Sequence, residues 1–94
     1  MKIERLIWIE EIVEKLRWKH RVDQDEVRET LANRPRFRFV EKGHRDGENI
    51  YSALGRTYEG RRLIIFFVYK KEGEALILSA RDMTESERKR YEKK

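Results

Sequence analysis

Ninety-four residues are enough for one domain and too few for two, and a chain this short buries only about 60% of its unfolded surface, so one core and a shallow site are expected. Charged residues make up 44% of the chain against 38% hydrophobic, yet the apolar ones fall in periodic runs, which excludes a disordered chain. Lys and Arg total 23 against 18 Asp and Glu, a net charge of +5 that points to polyanions, although the near balance also describes a merely soluble surface, and the absence of Cys excludes disulfides, thiolate metal sites and a Cys nucleophile.

Lys2 to Trp8 reads as a short first strand. Ile9, Ile12, Val13 and Leu16 fall at helical spacing, so the segment from Ile9 to His20 is a helix with one stripe toward a core, while Glu10, Glu14, Arg17 and Lys19 are solvated. Asp23 with Glu26 is a capping box, and Val22 with Val27 occupies the staple positions, so a second helix starts at Asp23; Asn33 and Pro35 end it. Phe37 and Phe39 alternate with Arg36 and Arg38, a strand with one buried and one basic face.

Lys42 to Asn49 is a turn or mobile loop, and Ile50 to Thr57 the next strand, followed by a tight connection through Glu59 and Gly60. Leu63 to Tyr69 and Ala75 to Ala80 are nearly continuous apolar runs, expected in the middle of the sheet and joined by a hairpin turn at Lys71 to Glu74. Thr84 with Glu87 caps a last helix from Glu85, whose end at Glu92, Lys93 and Lys94 should fray. The longest apolar run is far below the roughly 20 residues of a membrane helix and no signal-peptide core is present, so the cytoplasm is the expected location. The order of strand, two helices, four strands and helix predicts an α+β fold, a single domain with a largely antiparallel sheet.

His20 and His44 have no ligand-like spacing, no glycine cluster forms a phosphate loop, and no serine sits in a nucleophile elbow, so no metal or cofactor is expected. Arginine remains: Arg56 and Arg81 at strand ends and Arg88 one turn into the last helix, placed to converge on one edge of the sheet. Such a cluster can hold phosphate oxygens in pairs while RNA is cleaved by its own 2′-hydroxyl. Equally, strand-end arginines lie in solvent or pair with acids such as Glu85 or Glu87. Trp8, Tyr58 and Tyr91 are candidates to stack on bases, whereas Trp18, Phe37, Phe66 and Phe67 are expected in the core. Glu87 is read first as the capping acid and second as a proton acceptor, and His20 as an acid or base or a cap for helix carbonyls.

Taken together, Tyr51-Ser-Ala-Leu-Gly-Arg-Thr57, Gly60-Arg-Arg-Leu63, Ile77-Leu-Ser-Ala-Arg81 and Glu87-Arg88 with Tyr91 form an ordered set, extended by Trp8 and by Lys19-His20 with Val22. In order and spacing the set resembles the BrnT toxins of type II toxin–antitoxin pairs. The resemblance implies a RelE-like fold, a metal-independent endoribonuclease with Arg56, Arg81, Arg88 and His20 as catalytic candidates and Trp8 and Tyr91 on the RNA, and a BrnA-type antitoxin as partner, through which DNA is bound only indirectly. Ile9, Ile12, Leu16 and Ile50 stand where the family pattern has polar groups. Arg21 replaces the usual glycine and must take a left-handed conformation or change the helix end. The reading that competes with the ribonuclease is a non-catalytic module that binds RNA or protein.

Overall fold

The computed structural model describes residues 1–93; Lys94, part of the terminus expected to fray, lies outside the described residues. The chain forms strand β1 (Arg5–Ile7), helices α1 (Glu10–Lys15) and α2 (Gln24–Ala32), strands β2 (Arg36–Glu41), β3 (Asn49–Arg56), β4 (Arg62–Lys70) and β5 (Glu74–Asp82), and helix α3 (Glu85–Glu92). The fold is α+β. Its five-stranded sheet has the order β1-β5-β4-β3-β2, antiparallel throughout except where β1 runs parallel to β5.

The first helix does not run straight to His20. From Leu16 to His20 it widens into a π turn, with the Arg21 amide reaching back to the Leu16 carbonyl. The Val22 amide bonds the same carbonyl at 3.0 Å. Leu16 is buried, whereas Trp18, expected in the core, is 75% exposed. Two residues beyond Leu16 on a helical turn is roughly 200° around the axis, which turns Trp18 away from the apolar stripe. Arg21 closes the turn at φ 54°, ψ 41°, the left-handed geometry that a residue in place of glycine must accept. Arg21→Gly should therefore stabilise the fold by about 0.5–1 kcal/mol, raising Tm by a few degrees. An unchanged or lower Tm in a thermal melt would show that no strain is stored there.

Asp23 and Glu26 close the expected capping box at α2, each side chain receiving the other's backbone N–H. The helix crosses β3 closely. Thr30, fully buried, donates its hydroxyl to the Glu26 carbonyl at 2.7 Å. A Cβ at position 55 would sit 2.8 Å from Thr30 Cγ2, so only glycine lets the helix approach. A second glycine, Gly73 at φ 76°, ends the short 3₁₀ turn between β4 and β5. Its carbonyl accepts the Glu4 amide at 2.7 Å, which starts β1 beside β5.

One face of the sheet carries α1, the π turn and α2 over Ala53, Leu63, Ile65, Phe67, Ala75, Ile77 and Ala80, with Leu16, Val22 and Val27 contributed by the helical segments. On the other face α3 covers a smaller cluster, Leu54, Ile64 and Met83, against Phe66 and Tyr91. The face of β2 expected to be buried is only partly so: β2 is an edge strand, Phe37 is half-buried, and Phe39 is 53% exposed, resting edge-on against Tyr51. Phe67 is fully buried and Phe66 half-buried.

A bulge decides what the α3 face presents. Phe66 pairs with Ser79 and Phe67 with Ile77, leaving Leu78 as the extra residue. Unbulged alternation from inward Ile77 would put Arg81 inward and Asp82 outward. The extra residue reverses this, sending Ala80 and Asp82 to the α1–α2 face and Arg81 to the α3 face.

Candidate nucleic-acid interface

The α3 face is only half covered. α3 stands over one end of it, anchored at its start by a second capping box in which Thr84 Oγ1 accepts the Glu87 amide at 3.2 Å and Glu87 accepts the Thr84 amide at 2.8 Å. Beside the helix runs a groove lined by Arg38, Ser52, Ile64, Phe66, Glu87 and Arg90. Register explains the set: Arg38 lies opposite Ser52, and Ser52 opposite Phe66, on one face of three adjacent strands. Arg90 comes from α3, three residues after Glu87 and on the groove flank of the helix.

Arg81 of β5 stands beside this groove, against two of the residues that line it. Its guanidinium stands 5.8 Å from the centre of the Phe66 ring. Its two terminal nitrogens donate to the two Glu87 oxygens at 2.8 and 3.0 Å, and one also reaches the Asp82 carbonyl at 3.1 Å. The pairing with Arg81, helped by the Thr84 amide and opposed by burial, holds the Glu87 carboxyl down to about 2. Glu87 is therefore both the capping acid and the counter-ion of Arg81.

Arg56 lies further toward the end of the sheet. With Asn33, Arg34, Arg36, Tyr91 and Glu92 it lines a separate hollow of ≈ 290 Å³. Arg56 and Tyr91 are thus brought together, a few residues from the Arg81 groove along β2 and α3. Arg88 is not in the groove: 200° around the helix from Arg90, it lines the opposite flank with Met83, Glu85 and Lys89.

His20 and Trp8 are on the other side of the sheet. The His20 carbonyl caps Arg61, which also binds Glu26 of α2, and Trp8 packs at the edge of the larger core under the Arg28 guanidinium at 5.8 Å. Of the six site residues that the resemblance implies, then, Arg56 and Tyr91 meet in one hollow, Arg81 stands beside the neighbouring groove, Arg88 flanks α3, and His20 and Trp8 lie behind the sheet. Tyr58 is 68% exposed and donates its backbone amide to Glu29.

Arg34 and Arg90 carry no mark in the sequence, and Arg36 and Arg38 stand out there only as the basic face of a strand. The alternation around Phe37 and Phe39 was the signal for the last two; nothing local marks Arg90, whose role depends on where α3 docks. Among the described residues no three His, Asp or Glu side chains gather as a metal site requires, and no helix is long and apolar enough to cross a membrane. No protein-family model matches the chain, and no curated protein matches its sequence.

Proposed function

We propose that this protein is the toxin of a type II toxin–antitoxin pair, with a RelE-like fold and a metal-independent endoribonuclease activity exercised from the α3 face. The observation that carries the reading is the groove itself, lined by Arg38 and Arg90, with Arg81 beside it on the Glu87 carboxylate. Cations so arranged neutralise a phosphodiester and the charge that grows on it as the 2′-hydroxyl attacks, the largest contribution a protein makes to this reaction. The exposed part of Phe66 and the Tyr91 ring offer apolar surface to unpaired bases. Glu87, ionised at neutral pH, positions Arg81 rather than acting as a strong base. A BrnA-type antitoxin, which alone would contact DNA, is the partner in this reading.

A labelled single-stranded RNA incubated with the protein in EDTA tests it. Cleavage to 2′,3′-cyclic phosphate ends is expected, reduced at least 100-fold by Arg81→Ala. A folded protein that leaves the RNA intact sinks the ribonuclease. One observation favours the competing reading, a non-catalytic RNA- or protein-binding module: both terminal nitrogens of Arg81 are already engaged by Glu87. RNA bound in a salt-dependent way without cleavage is its signature.

A further inference from the structure

We propose that the hollow between α2, β2, the end of β3 and the end of α3 is a second phosphate subsite for single-stranded RNA, formed by Arg34, Arg36 and Arg56 with Tyr91 as the stacking surface beside it. The inference rests on the RNA reading above and extends the contact beyond the Arg81 groove.

Charge is the first support. Three arginines line this one hollow, and among the described residues none of the three pairs with a carboxylate. Among the described residues the only acid on the rim is Glu92, and it is held by Arg62. Arg36 reaches no more than the Arg90 carbonyl, at 3.4 Å, and Arg56 is fixed through its backbone, whose carbonyl accepts Asn33 Nδ2 at 3.0 Å. Arg36 and Arg56 are held by strand backbone while no carboxylate neutralises their charge, as an anion site requires.

Backbone strain is the second. Arg34 sits at φ 50°, just past the end of α2, where glycine or asparagine is the low-cost choice. It also precedes Pro35, which disfavours helical backbone at the residue before it. An arginine in such a place carries backbone strain that glycine would not, and what it supplies that glycine does not is a cation at the hollow.

Geometry is the third. Arg36 and Arg38 are two residues apart on the same face of β2, roughly 7 Å along the strand, so one lies at the hollow and the other at the groove. An extended single strand running along β2 therefore places consecutive phosphates at the two sites, with a base against Tyr91, which is half-buried on Leu54, Ile64 and Met83.

The test is fluorescence anisotropy of a labelled single-stranded RNA fully 2′-O-methylated, which cannot be cleaved, titrated across a range of salt. Removing both Arg34 and Arg56 as glutamines should make log K against log salt shallower by about 1.4 and weaken binding roughly tenfold at low salt. Arg34→Gly is the companion variant: it keeps the left-handed backbone, so it should melt higher than the parent yet bind RNA more weakly. Unchanged affinity and slope in both variants overturn the subsite. Parent protein that binds this probe with the expected slope but does not cleave unmodified RNA leaves the subsite standing and removes the ribonuclease; cleavage with an unchanged slope does the reverse. No binding of the probe by the parent overturns the subsite outright.

Discussion

Arg61→Ala should lower the unfolding free energy by about 3 kcal/mol and Tm by roughly 12–24 °C, an effect far outside the 0–1 kcal/mol of an ordinary surface ion pair. The guanidinium binds Asp82 with Nε and Nη2 at 2.8 and 3.1 Å, and Glu26 with Nη1 at 3.0 and 3.1 Å. Its two terminal nitrogens also take the carbonyls of Arg21 and His20 at 2.7 and 3.1 Å. One side chain thus ties the end of the π turn and the first turn of α2, neighbours along the chain, to the end of β5, which is remote in sequence. Asp82 is largely exposed and contributes little, but Glu26 is mostly covered and the carbonyls at the end of the π turn have no helical donor to replace Arg61. The pairing with Asp82, then Glu26, raises the Arg61 pKa above its ordinary value, so the cation persists throughout the accessible pH range. Arg61→Lys keeps the charge but not the fork and should recover less than half of the loss. Urea unfolding at constant m-value measures both; a loss below 1 kcal/mol for the alanine variant would reduce the network to solvated charges.

The elements that the sequence announces most clearly are those specified by contacts within a few residues. Both capping boxes, Asp23 with Glu26 and Thr84 with Glu87, form as their spacing demands, and the left-handed Arg21 follows from its place after the first helix. The apolar runs become β4 and β5, with β4 at the centre of the sheet. What a linear reading loses is the side of the sheet on which a residue emerges. Leu78 looks like any other apolar strand residue, yet as the bulge it reverses Ser79 to Asp82 and decides that Arg81 meets Glu87 while Asp82 meets Arg61. Likewise His20 and Arg81, both legible as candidates, end on opposite sides because the π turn packs on the α2 face. Trp18 differs in its reason: a large aromatic ring suggests the core, but it lies off the apolar stripe of the first helix, and the π turn and a short α1 leave no second layer to cover it.

Glu87→Gln should move stability and RNA affinity in opposite directions. The carboxylate accepts both terminal nitrogens of Arg81 and the Thr84 amide, and it brings negative charge to the first turn of α3, where the helix dipole favours it. Glutamine keeps the capping geometry and loses the charge, so a destabilisation of about 1–2 kcal/mol is expected near neutral pH. The acid limb reports the same interaction. With the folded carboxyl near 2 and its ordinary value 4.5, the unfolded chain binds a proton between those limits that the folded chain does not. The stabilisation is thus complete above pH 4.5 and lost as pH falls toward 2, and the variant should lack that part of the decline. Arg81, relieved of its counter-ion, becomes available to phosphate: salt dependence on single-stranded RNA should steepen by about 0.7 and affinity at low salt should rise several-fold. A variant both less stable and weaker on RNA would mean that Arg81 needs Glu87 to hold it in the groove, and that the pair works as one unit; a less stable but tighter variant identifies Glu87 as the internal competitor that incoming RNA must displace.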